Sequence, residues 1–485
     1  MQKTPPASGR RLANMNKQTI GLIAGPAVFV LLLLALPALS VCTFKQAAAL
    51  AAVVWMGLWW ILRPVHIAVT SFLPIPVNAF FDLIPASHLI SQYFSEIVVL
   101  LLGSELISLT WERTKLDRRL AIGSLCCIGT SLRSQVFVWL FASTVLSIIL
   151  PNVVVVMIFL PVALSMLKFL GEGKLETSPA ATAIMLAIVW GAGIGGFGSP
   201  LGGSANLVAL SYIEALTGHE FMYVDWLYRF VPILALVFFI NLFVIFRLSP
   251  KGKNLHGGAA YFKETYKSFG PMRPGEKIAL SLFVLATVLA FARPLYASWL
   301  PGMKPAYVFF FLGMLTFVLK DEKKNWMLTW AEAEKGVMWG MIFLFAGGLA
   351  LGRLITDTGA ALVIAKGLAL MPLSGGLETM LSVTVFGTVL SEISSNTAAA
   401  SIAIPVVQGL AAELSLNPIP YLLASIVAVN CAYVLPVSIR AIGVSYGLSA
   451  DALLREGLIV SALTVLAASL VCWVAMLFWP AFSAL

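Results

Sequence analysis

Apolar runs long enough to cross a lipid bilayer recur along this chain, and they limit its folds to those that satisfy every backbone N–H and C=O without water. Ile20 to Val41 and Phe230 to Phe246 are two such runs, each near the ~20 residues a transmembrane helix needs. An open sheet would leave its edges unpaired in hydrocarbon, so runs of this length read as helices. Composition agrees, because 60% of the 485 residues are hydrophobic and 11% are charged, against about 25% charged in soluble domains. The fold expected is an all-α polytopic membrane protein. The formal charge of +9 lies mostly in short loops, which membrane topology explains without a nucleic-acid partner.

Two short polar stretches interrupt this background and match one another. Leu390 to Pro405 reads L-S-E-I-S-S-N-T-A-A-A-S-I-A-I-P, and Leu146 to Pro161 reads L-S-I-I-L-P-N-V-V-V-V-M-I-F-L-P. Ser147 and Ser391, Asn152 and Asn396, and Pro161 and Pro405 each stand 244 residues apart. Gly103 and Gly347 share that offset, and Arg63-Pro64 is echoed by Arg293-Pro294 at a slightly different one. Two units that each cross the membrane an odd number of times insert with opposite orientation, the plan of two inverted-topology repeats found in many secondary transporters. The expectation is about 11 transmembrane helices plus two re-entrant helical hairpins, at 134–170 and 375–412.

The ends and linkers fit that division. Residues 1–19 carry Lys3, Arg10, Arg11 and Lys17 without an acid and read as a cytoplasmic tail. The following run is too long for a signal-peptide core and has no A-x-A site, so 20–45 is expected to be the first transmembrane helix. The polar segment 248–276 holds Lys251, Lys253, Lys263, Lys267 and Arg273 against Glu264 and Glu276. It separates repeat 1 (46–247) from repeat 2 (277–485), and by the positive-inside rule it is cytoplasmic, as is the N-terminus. A bacterial inner membrane is the expected location.

Backbone that leaves a helix inside a bilayer survives only where protein or a water-filled cavity covers it, so each polar stretch marks a buried site. A lone Ser-Asn-Thr would be read as helix-packing polarity; duplication at one offset argues for a site. Ser394, Ser395, Asn396 and Thr397 offer hydroxyl and amide donors to a carboxylate, and carbonyl and amide oxygens to a sodium ion. A helix starting at Thr397 adds its positive dipole end. The glycine-rich run from Gly191 to Asn206 is either a close-packing seam or an unwound segment, and its Ser199-Pro200 step favours unwinding over 191–206. A second unwound helix is expected at 434–442. The acids Asp82, Glu96, Glu105 and Glu392 form no nucleophile, metal or nucleotide motif. Neither His66, His88, His219 and His256 nor the five cysteines have metal-site spacing, so neither an enzyme nor an organic cofactor is expected.

Several motifs together carry a family resemblance over nearly the whole chain. They are Trp59-Trp60, Gly270 to Lys277 as G-P-M-R-P-G-E-K, Ala331 to Gly340 as A-E-A-E-K-G-V-M-W-G, Ser395-Asn396-Thr397 and Leu435-Pro436-Val437. The sequence resembles the divalent anion sodium symporters, carriers of dicarboxylates, citrate and in some members sulfate. The resemblance implies a homodimer with a scaffold domain and a transport domain that slides as an elevator. It also implies that the two tips bind substrate carboxylates and hold sodium against the neighbouring unwound loops. On that basis the substrate-binding candidates are Asn152, Ser199, Ser395, Asn396, Thr397 and Arg440. The sodium candidates are Ser147, Asn152, Gly198 and Ser199 at the first tip, and Ser391, Ser394, Asn396 and Ser438 at the second.

The chain departs from the family pattern at both ion motifs. The first tip is Pro151-Asn152-Val153 in place of S-N-T, and Leu201 to Ala205 reads as an insertion before Asn206. The second loop continues Ser438-Ile439-Arg440-Ala441 where the family has T-P-P-N. An arginine near the bilayer centre costs about 2.5–3.5 kcal/mol on insertion scales, so it needs a partner or a cavity. Arg440 therefore either pairs with Glu392, or places a fixed positive charge where relatives hold sodium, or clamps a substrate carboxylate. A fixed charge would make the carrier sodium-independent or an anion exchanger; sodium-coupled symport is the competing reading. The cargo expected is a small divalent organic anion of the dicarboxylate type.

Overall fold

A computed structural model describes residues 7–170, 178–250, 252–255, 257–368 and 372–484. Lys3 of the basic tail, and Lys251 and His256 of the central polar segment, lie outside the described residues. Among the described residues ten helices are long and apolar enough to cross a membrane. Bridges between extended residues are confined there to Ser131 with Asn254 and Lys320 with Trp326. The protein is an all-α integral membrane protein.

The chain opens with Ala7–Ala38, which packs on Phe44–Leu62; the Trp59 indole N–H donates to the Gly21 carbonyl at 2.8 Å. Phe44–Leu62 starts on a capping box between Thr43 and Gln46, which satisfies two of the helix's orphan N–H groups. It stops at Arg63 in left-handed conformation, φ 48°, just before Pro64, which could not continue the hydrogen-bond ladder.

Two hairpins follow the polar stretches. Leu132–Ile149 turns into Asn152–Phe169, and Leu377–Ile393 turns into Asn396–Glu413. Each tip reverses the chain in two residues because Leu150 (φ −108°, ψ 151°) and Ser394 (φ −135°, ψ −168°) are extended. Pro151 fixes the first re-entry, since its ring sets φ for the residue before a helix. At the second tip Ser395 caps the new helix by accepting the Ala398 N–H at 3.2 Å.

Two broken helices lie beside the hairpins. The first runs as Pro179–Gly195, a 3-10 turn at Gly196–Gly198, and then Ser204–Thr217. The glycine-rich run was expected to unwind from Gly191, yet it stays helical to Gly195. The reason is a backbone contact with the first hairpin. A Cβ on Gly191 would lie 2.8 Å from the Leu140 carbonyl oxygen, and one on Gly195 would collide with that of Thr144. The seam reading thus holds for the front of the run and unwinding for its end. The second break spans Cys431 to Ser438, between Pro418–Asn430 and Ile439–Ser445, so it begins and ends earlier than 434–442. Arg440 consequently lies in the first turn of a short helix.

The helix Pro179–Gly198 is 94% buried, whereas Gln18–Ala38 is 22% buried; the broken helix is central and the first span peripheral. The offset of 244 also relates two helix contacts. Gly103, in Glu96–Thr114, would place a Cβ 2.5 Å from the Phe310 backbone of Pro305–Leu315, and Gly347, in Trp339–Asp357, meets the Ser71 backbone of Ile67–Ser71 in the same way.

Candidate functional site

The two hairpin tips and the two breaks meet around one cavity of about 130 Å³. An engineered apolar cavity of roughly 150 Å³ holds benzene, so this space suits a small ligand. Asn152, Ser395, Asn396, Thr397 and Ser438 line it, and Leu101, Ser104, Glu105, Phe283 and Met341 face them from the opposite wall. Three helices begin at this cavity: Asn152–Phe169, Ser204–Thr217 and Asn396–Glu413. The first two start without a side-chain cap, which leaves backbone N–H groups and the positive ends of their dipoles directed at the space. An anion is the ligand such an arrangement favours.

Each tip is locked by the same pair of bonds. Ser147 Oγ contacts the Asn152 amide oxygen at 2.9 Å and donates to the Ala192 carbonyl at 2.7 Å. Ser391 Oγ contacts the Asn396 amide oxygen at 3.0 Å and donates to the Val429 carbonyl at 2.5 Å. The serines therefore orient the asparagines and tie each tip to the helix beside it. Asn206 bridges the first break by donating to the Gly196 and Ser199 carbonyls at 2.7 and 2.8 Å. Asn430 then donates to the Asn206 amide oxygen at 2.9 Å, and Ser204 and Thr397 share a hydrogen bond. The two halves are joined by buried polar groups that each find a partner, as a low-dielectric site requires.

A family profile described as "Citrate transporter" matches residues 57–428 and 310–485. The chain is 30% identical over 440 residues to the sodium-dependent dicarboxylate transporter SdcS of Staphylococcus saprophyticus, covering 87% of this chain and 83% of the relative. It is 29% identical over 437 residues to SdcS of Staphylococcus aureus, with the same coverage. The chain belongs to the divalent anion sodium symporter family. The fold is also similar to the YdaH transporter of Alcanivorax borkumensis, with a TM-score of 0.52 at 13% identity over 84% of this chain and 91% of that one. This divalent anion carrier family comprises transporters, so the protein is a transporter and not an enzyme.

Not every residue expected at the site of this family member reaches the cavity. Ser199 Oγ donates to the Ile148 carbonyl at 2.5 Å and accepts the Gly202 N–H at 3.1 Å, so it shapes the break. Ser394 donates to Leu390 at 2.6 Å, within its own helix end. Gly198 packs against Ile148 and Leu234. Ser438 lines the cavity with φ 55°, a conformation rare for a residue with a side chain.

Arg440 was a candidate substrate clamp, and the geometry removes it from the cavity wall. Its side chain is 2% exposed. It donates from Nε to the Leu435 carbonyl at 2.5 Å, from Nη1 to Ala432 at 2.8 Å and from Nη2 to Ser391 at 3.4 Å. Nη2 also lies 3.4 Å from Glu392 Oε2. The Glu392 carboxylate in turn accepts the backbone N–H groups of Tyr433, Val434 and Leu435 at 2.5 to 3.1 Å. Of the readings open in sequence, pairing with Glu392 is present. The guanidinium is also held against three backbone carbonyl oxygens. Ala192 and Val429, the two serine acceptors, stand 237 residues apart, and the same step carries Gly198 to Leu435.

Sequence reasoning passed over Asn430 and left Glu105 without a role. Asn430 is an amide at the end of an otherwise apolar helix, and a polar side chain at membrane depth is itself a signal. Glu105 carried that signal too, yet nothing in its neighbours along the chain says that its helix faces the hairpin tips.

Proposed function

We propose that this protein is a secondary carrier of small divalent organic anions, dicarboxylates or citrate, and that each hairpin tip binds one substrate carboxylate. The observation that carries this reading is the convergence of three helix N-termini on one small cavity between Asn152 and Asn396. Asn152 and Asn396 give amide donors, Ser395 and Thr397 hydroxyls, and the uncapped helices backbone N–H groups. Together these recognise carboxylates without a cationic side chain.

Arg440 acts as a resident cation at the second tip, so any sodium coupling runs through the first tip alone. There Ser147, Asn152 and the Gly198 region keep an oxygen-rich corner without an arginine. The relatives named above are sodium-dependent, which favours sodium as the ion at that first corner. Hairpins and broken helices move together against the Glu96–Thr114 and Trp339–Asp357 helices, in an elevator motion within a homodimer. The cavity adjoins a vestibule through Val153 and Met338, and that vestibule is lined by Glu112, Lys115, Asp117 and Arg118. The loop at this end carries Arg113, Lys115, Arg118 and Arg119, so by the positive-inside rule it is cytoplasmic, in a bacterial inner membrane with the N-terminus inside, and the cavity opens inward.

Uptake of radiolabelled succinate and citrate by purified protein in liposomes, in sodium and in choline, tests the proposal. Sodium activation with a Hill coefficient of about 1, or none at all, is expected for a carrier with one ion position filled by arginine. A coefficient of about 2 would remove the resident-cation reading. Failure to take up any di- or tricarboxylate in either salt would remove the substrate class.

A further inference from the structure

Among the described residues that line the central cavity, one side chain is ionisable, and it is an acid. Glu105 projects from the middle of Glu96–Thr114 across from both hairpin tips, and its carboxyl accepts the backbone N–H of Met338. Most charges on neighbouring elements pair with one another, while Lys277, Glu334 and Lys335 are exposed. Arg113 pairs with Glu332, Arg119 with Glu276, Lys304 with Glu96 and Arg353 with Asp357. On Ser204–Thr217, Glu214 accepts the Phe221 N–H and Tyr212 bonds Thr356, while Tyr307 bonds Glu96. Glu112, two turns along the same helix, is the charge that acts on Glu105, and it is also negative. Glu112 lines the vestibule together with Lys115, Asp117 and Arg118. From the tips, Asn152, Asn396 and Thr397 face Glu105 with neutral groups.

An ionised carboxylate and a divalent anion repel strongly in a small, poorly solvated space, and a proton is the simplest way to remove that repulsion. We propose that Glu105 is a proton-linked binding residue: it takes one proton from solution as the anion enters from the vestibule, and ionises to expel it. The proton arrives and leaves on the vestibule side, the Glu105 carboxyl gaining an O–H that it can donate to a substrate carboxylate. No proton crosses the membrane, because Glu105 stands on the wall facing the moving tips. By linkage the protonated carboxyl and the bound anion stabilise one another equally. The inference rests on the dicarboxylate reading of this cavity, and it adds a pH-controlled release step to it.

Fumarate keeps both its carboxyls ionised between about pH 6 and pH 8, so its binding isolates the protein's own protons. Calorimetry of fumarate binding to the detergent-purified protein, in two buffers of different ionisation enthalpy, counts the protons exchanged. The expected result is net uptake approaching one proton per fumarate at the alkaline end, with affinity falling by up to about tenfold per pH unit. Glu105→Gln is expected to bind fumarate with a flat pH profile and no proton uptake. Fumarate binding without proton uptake by the unmodified protein overturns the inference, and that measurement stands even if the variant does not fold. A Glu105→Gln protein that keeps the slope also overturns it. Absence of binding by fumarate, succinate and citrate at every pH removes the dicarboxylate reading itself, and this inference with it.

Discussion

Glu392 and Arg440 divide the backbone of the second broken helix between them. The carboxylate takes the N–H groups of Tyr433, Val434 and Leu435, and the guanidinium takes the carbonyls of Ala432 and Leu435. Helix breakage inside a bilayer leaves both kinds of group unpaired, at several kcal/mol each. An acid and a base 3.4 Å apart therefore satisfy the backbone as well as each other. Among the described residues the first break has no such pair and uses Asn206 instead, which is why the two tips, alike in their serine and asparagine, differ in charge.

Replacing Arg440 by Met should destabilise the protein by about 3–5 kcal/mol, since it strands a buried carboxylate and several carbonyls. Arg113→Gln, which breaks a pair whose side chains are 27% and 45% exposed, should cost under about 1 kcal/mol. Thermal unfolding of the detergent-solubilised proteins compares them. The double variant Arg440→Met, Glu392→Gln should recover part of the loss, because the unpaired charge is gone while the carbonyls remain unsatisfied. An Arg440→Met protein that unfolds with the unmodified one would show that the pair carries no stability.

Truncating Arg440 to Ala should turn the carbonyls of Ser391, Ala432 and Leu435 into a cation site. Sodium, but not choline, should then raise the unfolding temperature of the variant, by about 2.7 kcal/mol of stabilisation at 100 times its dissociation constant. The unmodified protein should gain less. Equal shifts in both would mean that the guanidinium does not occupy an ion position.

The hairpins were legible in sequence because a polar Ser-x-x-x-x-Asn pattern in hydrocarbon has few physical explanations, and its repetition at one offset left fewer. Their helices run over 132–169 and 377–413, against the expected 134–170 and 375–412. The depth of the first unwinding was misjudged because glycine serves two ends. Gly191 and Gly195 allow close packing against Leu140 and Thr144, and only contacts distant along the chain distinguish that from loop formation. For Arg440 the sequence offered pairing with Glu392 as one of three readings; the structure shows that pair, and the helix that resumes at Ile439 turns the side chain away from the cavity.

Asn152→Ala and Asn396→Ala should each lower substrate affinity by about 10- to 100-fold, the loss of one hydrogen bond to a charged group at 1.5–3 kcal/mol. Ser199→Ala, which loses a loop-shaping bond outside the cavity, should lower stability more than affinity. Titration with succinate by thermal shift separates the two effects. Asparagine variants that bind normally would move the substrate away from the tips.

Three glycines on Trp339–Asp357 face three different neighbours, and substitutions there should separate folding from motion. Gly347 meets the Ser71 backbone, so Gly347→Ala forces two main chains apart and should cost about 1–3 kcal/mol. Gly348 meets the Ser401 hydroxyl of the second hairpin, and Gly352 meets the Tyr212 hydroxyl of the first broken helix. These contacts join the Trp339–Asp357 helix to the elements proposed to slide along it, and a Cβ at either site would rub against a moving partner. Gly352→Ala should therefore leave succinate affinity near normal, because it lies away from the cavity, and should slow uptake severalfold, because every cycle must drag Tyr212 past the added methyl. Binding by calorimetry and turnover in liposomes give the two numbers. A Gly352→Ala carrier that turns over at the normal rate would mean that this face does not slide, and would count against the elevator motion itself.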